Sequence, residues 1–220
     1  MSLLNRRRAI IMAQNKSDIV LPKEYTKLNY IEGTGTQWID TGYACTSDYK
    51  PYRIKCRFRM TSIPTATQFI FGTNQHPSGV AYVISLSVDA SRKKFVTSRL
   101  GTSGSGFRFG TLDTEVHDYE YVFKEGSYFD GAFVEGTEQQ ASLTGISSGK
   151  NMGLFARLDT GVNTATLGKC QIYGYELYGK TELERKFVPA QRKSDGVIGM
   201  YDIVTNVFVT NSGTGEFIGG

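Results

Sequence analysis

From Tyr25 onward apolar and polar residues alternate with a period of two, the pattern of strands that bury one face. The clearest run is 52–60, where Tyr52, Ile54, Cys56, Phe58 and Met60 alternate with Arg53, Lys55, Arg57 and Arg59. It predicts a strand with one apolar face and one basic face. Residues 68–72 predict a short buried strand, ended by a turn over 74–79. A strand over 80–88 follows, with 94–99 as its hairpin partner, and the glycine and serine run 101–106 is a loop. Tyr119, Tyr121 and Phe123 then alternate with Asp118, Glu120 and Val122. Phe129-Asp130-Gly131 predicts a turn from which Ala132-Phe133-Val134 leaves as a strand. Residues 151–156, 170–178, 197–201 and 207–210 supply further strands, and Gly213 and Gly215 break the last before Phe217 and Ile218. Only 180–185 (KTELER) reads as helical, for one or two turns. Short strands without a βαβ rhythm predict an all-β, antiparallel two-sheet sandwich.

Composition agrees with that class. The 220 residues are 40% hydrophobic and 21% charged, enough for one large domain with a substantial core and wrong for a disordered chain. The 25 glycines, 13 tyrosines and 13 phenylalanines against five prolines suit many tight turns joined by aromatic-rich strands. A net charge of +4 is too mild to argue for nucleic acid. No stretch approaches the roughly 20 apolar residues of a membrane span. Cys45, Cys56 and Cys170 are odd in number and match no zinc or redox spacing, so each reads as a small buried hydrophobe.

Residues 1–20 differ in texture. Arg6, Arg7 and Arg8 precede a five-residue apolar run, Ala9 to Ala13, shorter than the roughly 7–15 residues of a signal core. The segment reads as an arm outside the main domain of 21–220, with Arg6, Arg7, Arg8, Ile10, Ile11 and Met12 as its anchoring residues.

Residues 52–60 (YRIKCRFRM), 68–72 (QFIFG), 117–134 (HDYEYVFKEGSYFDGAFV) and 167–178 (LGKCQIYGYELY) fall in an order that resembles a concanavalin A-like or laminin G-like jelly roll. The strand led by His117, running through a hairpin into the "FDG" turn, carries most of that resemblance. The two ends, 21–43 and 187–217, resemble a module of phage and prophage virion proteins found in tails, fibres and head decorations. That resemblance implies a virion component assembled in the host cytoplasm. It would be joined to other virion proteins through residues 1–20, displayed toward a host-surface glycan, and built as a homo-oligomer such as a trimer.

Candidate chemistry is sparse. Laminarinase-type hydrolases share the jelly roll and carry a strand resembling E-x-D-x-x-E, with two carboxyls about 5 Å apart for a retaining mechanism. Here Glu115-Val116-His117-Asp118-Tyr119-Glu120 puts the middle carboxylate one residue out of place, on the opposite face of a strand from Glu115. No catalysis is expected. His117 reads as a packing or hydrogen-bonding residue, and His76 lies in a turn beside Pro77. No cofactor is expected. A structural calcium, which the laminin G resemblance brings to mind, would draw on Asp89, Asp130 and Asp159, but no calcium loop joins them and they read better as turn residues bonding their own backbone. Trp38, Tyr82, Tyr128 and Tyr173 are candidate sugar platforms. The basic face Arg53, Lys55, Arg57 and Arg59 either pairs with Asp118 and Glu120 across the sheet or meets an anionic glycan or a neighbouring subunit; the pairing is the stronger reading.

Overall fold

In the computed structural model, which describes residues 19–46, 51–75, 82–98, 106–123, 125–136, 150–159 and 166–220, the alternating segments become strands. In chain order they are β1 (Tyr25–Lys27), β2 (Ile31–Glu32), β3 (Ile39–Ala44), β4 (Arg53–Met60), β5 (Gln68–Gln75), β6 (Tyr82–Asp89), β7 (Lys94–Ser98), β8 (Phe107–Phe109) and β9 (His117–Val122). There follow β10 (Gly126–Phe129), β11 (Ala132–Gly136), β12 (Asn151–Leu154), β13 (Cys170–Tyr178), β14 (Leu183–Arg192), β15 (Ile198–Asp202), β16 (Val207–Thr210) and β17 (Ile218–Gly219). They make two antiparallel sheets. The larger runs β11-β10-β9-β4-β13-β14-β15-β16, with β1, β2 and β17 attached beside it; the smaller runs β3-β12-β5-β6-β7-β8. This is the all-β two-sheet sandwich the alternation predicts. The anchoring arm with Arg6, Arg7, Arg8, Ile10, Ile11 and Met12, together with His76 and most of the loop 101–106, lies outside the described residues.

The two apolar faces meet in one core. Phe71 of the smaller sheet sits 5.2 Å from Tyr175 and 5.9 Å from Tyr119 of the larger, and Phe95 stands edge-on to Phe58 at 5.6 Å. Burying a large apolar side chain contributes ~1.5–3 kcal/mol, so these interdigitated rings hold the sheets face to face. All three cysteines are buried, and burial pushes each thiol above its ordinary range, as expected of small hydrophobes.

One expected element is corrected. Residues 180–185 form no helix, and Leu183–Arg192 is a ten-residue strand. Glu, Lys, Arg and Leu favour helices by only tenths of a kcal/mol each, less than a strand gains from neighbours on both sides. β14 pairs with β13 over Leu183–Phe187, with β15 over Phe187–Gln191 and with β1 over Ala190–Arg192. Pro189 is tolerated because pairing with β13 stops at Phe187 and pairing with β1 starts at Ala190, and its carbonyl accepts the Leu28 N–H.

Candidate functional site

The outer face of the larger sheet carries the basic stripe. Register places Glu120, Lys55, Glu176 and Lys186 in one cross-strand row of alternating sign. Arg53 pairs with Glu120 at 2.5 Å, Lys186 with Glu176 at 2.9 Å, and Arg57 with Asp118 at 3.4 Å. Arg53 and Lys55 both lie over the Tyr178 ring. Burial opposes ionisation of Glu176, but the Tyr178 hydroxyl, Lys186 and Lys55 outweigh it and hold the carboxyl below its usual range. Among the described residues Lys55 and Arg59 are the two members of the stripe without an ion pair. Exposed pairs of this kind contribute ~0–1 kcal/mol each. Arg53 and Arg57 are thus paired within their own sheet.

His117, at the head of β9, is buried among Phe58, Phe95 and Phe129. Its Nδ1 lies 2.9 Å from Asp130 Oδ2 and its Nε2 lies 2.8 Å from Asp113 Oδ1. Asp130 also accepts the Asp118 N–H, and Asp130 and Gly131 have φ of +49° and +78°. These are the two left-handed central residues of a tight hairpin turn, as the "DG" pair predicts. His117 is therefore a packing and hydrogen-bonding residue that ties two loops to one strand.

The three aspartates considered for calcium lie apart and meet protein donors. Asp89 accepts from Arg92, Arg108 and Ser91, Asp130 from Asp118 N–H beside His117, and Asp159 from Asn74. No cluster of three or more His, Cys, Asp or Glu among the described residues is arranged to hold a metal. The candidate platforms are not gathered either. Trp38 packs against the cluster of Ala156, Leu158 and Leu167, Tyr128 on Phe133 and Tyr173 on Tyr30, while the Tyr82 side chain is outside the described set.

A different cluster forms on the outer face of the smaller sheet. Ile84, Leu86 and Val88 of β6 enter the core, so Ser85 and Ser87 face outward. A bulge in β5 between Phe69 and Phe71 turns Phe69 to that outer face, while Ile70 and Phe71 enter the core. Gly72 and Asn74 follow on the outer face. Across them comes the segment after β12. Phe155 takes a left-handed φ of +61°, the chain bends back, and Leu158 pairs in parallel with Thr73. Gly153 permits the bend, since a Cβ there would stand 2.7 Å from Leu158 Cγ.

The bend lays Arg157 on the sheet. A Cβ at Gly72 would stand 3.1 Å from Arg157 Cγ and 2.7 Å from Ser85 Cβ, so only glycine lets the arginine stem cross there. The guanidinium stacks 4.6 Å over the Phe69 ring. Among the described residues it has neither a hydrogen-bond acceptor nor an ion pair. Burial lowers the Arg157 pKa and the Asp159 charge opposes that shift. Asp159 accepts from Asn74 Nδ2 at 2.6 Å. On the same face of the sheet, Asn74 Oδ1 and Ser85 Oγ are buried and without a partner among the described residues. A half-buried arginine stacked on an aromatic ring, with its fork of donors unspent, is equipped to hold a planar or polyhydroxylated acceptor.

No family model and no curated protein matches this sequence. Among solved structures, the chain is similar to a Trypanosoma rangeli sialidase in complex with 2,3-difluorosialic acid, at 14% identity and a TM-score of 0.47 over 60% of this chain. It is also similar to a mutant of Trypanosoma rangeli sialidase displaying trans-sialidase activity, at 16% identity and a TM-score of 0.43 over 58% of this chain. The chain spans 21% of the length of each. A likeness this distant carries no argument about activity.

Proposed function

We propose that this chain is a non-enzymatic binding domain that holds a glycan against the outer face of its smaller sheet. The observation behind the reading is Arg157, stacked on Phe69 with its donors free of described acceptors, on the sheet face that also carries the unpartnered Asn74 Oδ1 and Ser85 Oγ. Sugars are recognised by stacking surfaces combined with planar polar groups, and this cluster supplies both. Two features favour binding over hydrolysis. Asp118 and Glu120, the carboxylates that share a face, are drawn to Arg57 and Arg53, and neither stands near Arg157 on the other sheet. A glycan array should register binding with no release of reducing sugar. Turnover of a bound glycan would replace this reading with a glycoside hydrolase.

The setting proposed with it is a phage particle. Residues 1–20 would anchor the domain to other virion proteins, a homo-oligomer would display it, and the ligand would be a host-surface glycan. The resemblance of the two chain ends to virion modules supports this setting, and those ends are joined to each other in the fold: Trp38 N–H donates to Asn211 Oδ1 and Gln37 Nε2 donates to the Glu216 carbonyl. Density-gradient fractionation of lysate should place the chain in intact particles at fixed stoichiometry, and deletion of residues 2–14 should release it still folded. Recovery only among free proteins would leave a free-standing bacterial lectin, which the same site serves equally well.

A further inference from the structure

The polar groups beside Arg157 differ in what they can still bind. Asn74 donates its amide to Asp159, and its Oδ1, like Ser85 Oγ, is buried away from solvent. Arg157 is the group of this cluster that both reaches solvent and carries donors without a described acceptor. Its stem is confined where it crosses Gly72, and its guanidinium carbon is held 4.6 Å from the Phe69 ring centroid. A ligand meeting it therefore finds a preoriented fork of N–H donors, half removed from water, where a charge-assisted bond is stronger than on an open surface. Neutral hydroxyls could occupy one donor at a time. A carboxylate matches two at once.

From this geometry we infer that the site selects carboxylate-bearing sugars, with a uronic acid carboxylate bound by the solvent-side edge of the Arg157 guanidinium. The inference rests on the glycan-binding reading above and narrows it to a ligand class. Asp159 is the counterweight. Its charge lies close enough to act on Arg157, so it weakens the attraction for a second anion while its bond to Asn74 holds the floor of the site.

The test uses the full chain and a panel of galacturonate and glucuronate oligomers, each paired with its methyl ester. The ester keeps the sugar skeleton and removes the charge. Titration calorimetry should find the acids bound more tightly than their esters, with the difference shrinking as salt rises. Arg157→Gln should lose roughly tenfold or more in affinity for the acids, the worth of a charged hydrogen bond, and distinctly less for the esters, which engage its donors only singly. Arg157→Lys keeps the charge without the fork and should fall between. Asp159→Asn should tighten acid binding roughly severalfold by removing a like charge, an effect that a merely structural role for the cluster does not produce. Circular dichroism and thermal melting establish that each variant is folded. Equal affinity for acids and esters would overturn the carboxylate inference and leave glycan binding standing, as would preference for sulfated sugars unaffected by Arg157→Gln. Failure to bind any saccharide on the array or in the panel would overturn both.

Discussion

At the scale of single residues, the charged groups of this domain divide into those engaged by local partners and those left open to a ligand. Asp113 belongs to the first kind. Burial alone would raise its carboxyl, but the Glu115 N–H and the His117 ring outweigh that and hold it below the usual carboxylate range. A carboxyl depressed in the folded state contributes stability that is complete above its unfolded value, about 4. That contribution is lost as pH falls through the lower folded value. Urea denaturation across pH should therefore show stability falling below about pH 4, with a shallower fall in Asp113→Asn, whose amide oxygen still accepts both bonds. Superimposable acid profiles for the two proteins would remove Asp113 from the account. Arg157 belongs to the second kind, and its separation from the neutralised stripe of Arg53, Arg57, Asp118 and Glu120 is what singles it out.

At the scale of elements, the site depends on one bend. β12 must end at Leu154 and return at once to β5, which requires the left-handed Phe155 and the close passage of Leu158 over Gly153. Gly153→Val should force that passage apart. We expect a loss of about 1–3 kcal/mol from overpacking, read as a lower urea midpoint, together with weaker saccharide binding because Arg157 no longer lies against Phe69. Unchanged binding with reduced stability would show that the bend does not position the arginine. The strands themselves were legible in the sequence because period-two alternation survives wherever one face is buried, as in 52–60 and 117–123. Leu183–Arg192 was not, because its helix-forming residues are overruled by pairing to segments distant in sequence. The Arg157 cluster was also missed, because its members come from three separate stretches of chain and only the fold assembles them. The available hints were local: small serines between the apolar residues of VISLSV, and a glycine inside the strand at 72.

At the scale of the whole molecule, the first and last described segments close the sandwich together, and that closure reaches the site. Thr36 and Trp38 carbonyls accept the Thr214 and Ser212 N–H groups, and the Asn29 and Tyr30 N–H groups donate to the Gly220 carbonyl. Within this clasp Phe217 is buried and packs 5.0 Å from Phe155, whose ring also lies against Gly33. Phe155 therefore has chain-end contacts on its ring and the Arg157 bend on its backbone. A left-handed non-glycine residue persists only where its surroundings hold it, so the clasp supplies part of what keeps the bend in place. Phe217→Ala should cost about 3–5 kcal/mol, as a buried phenylalanine does on truncation, and should also weaken saccharide binding through the Phe155 bend. Phe217→Leu, which refills most of the volume, should recover much of both losses. Parallel changes in urea midpoint and in affinity across the three proteins would establish the coupling. Stability that moves while affinity in the folded fraction stays fixed would show that the clasp closes the sandwich without steadying the site.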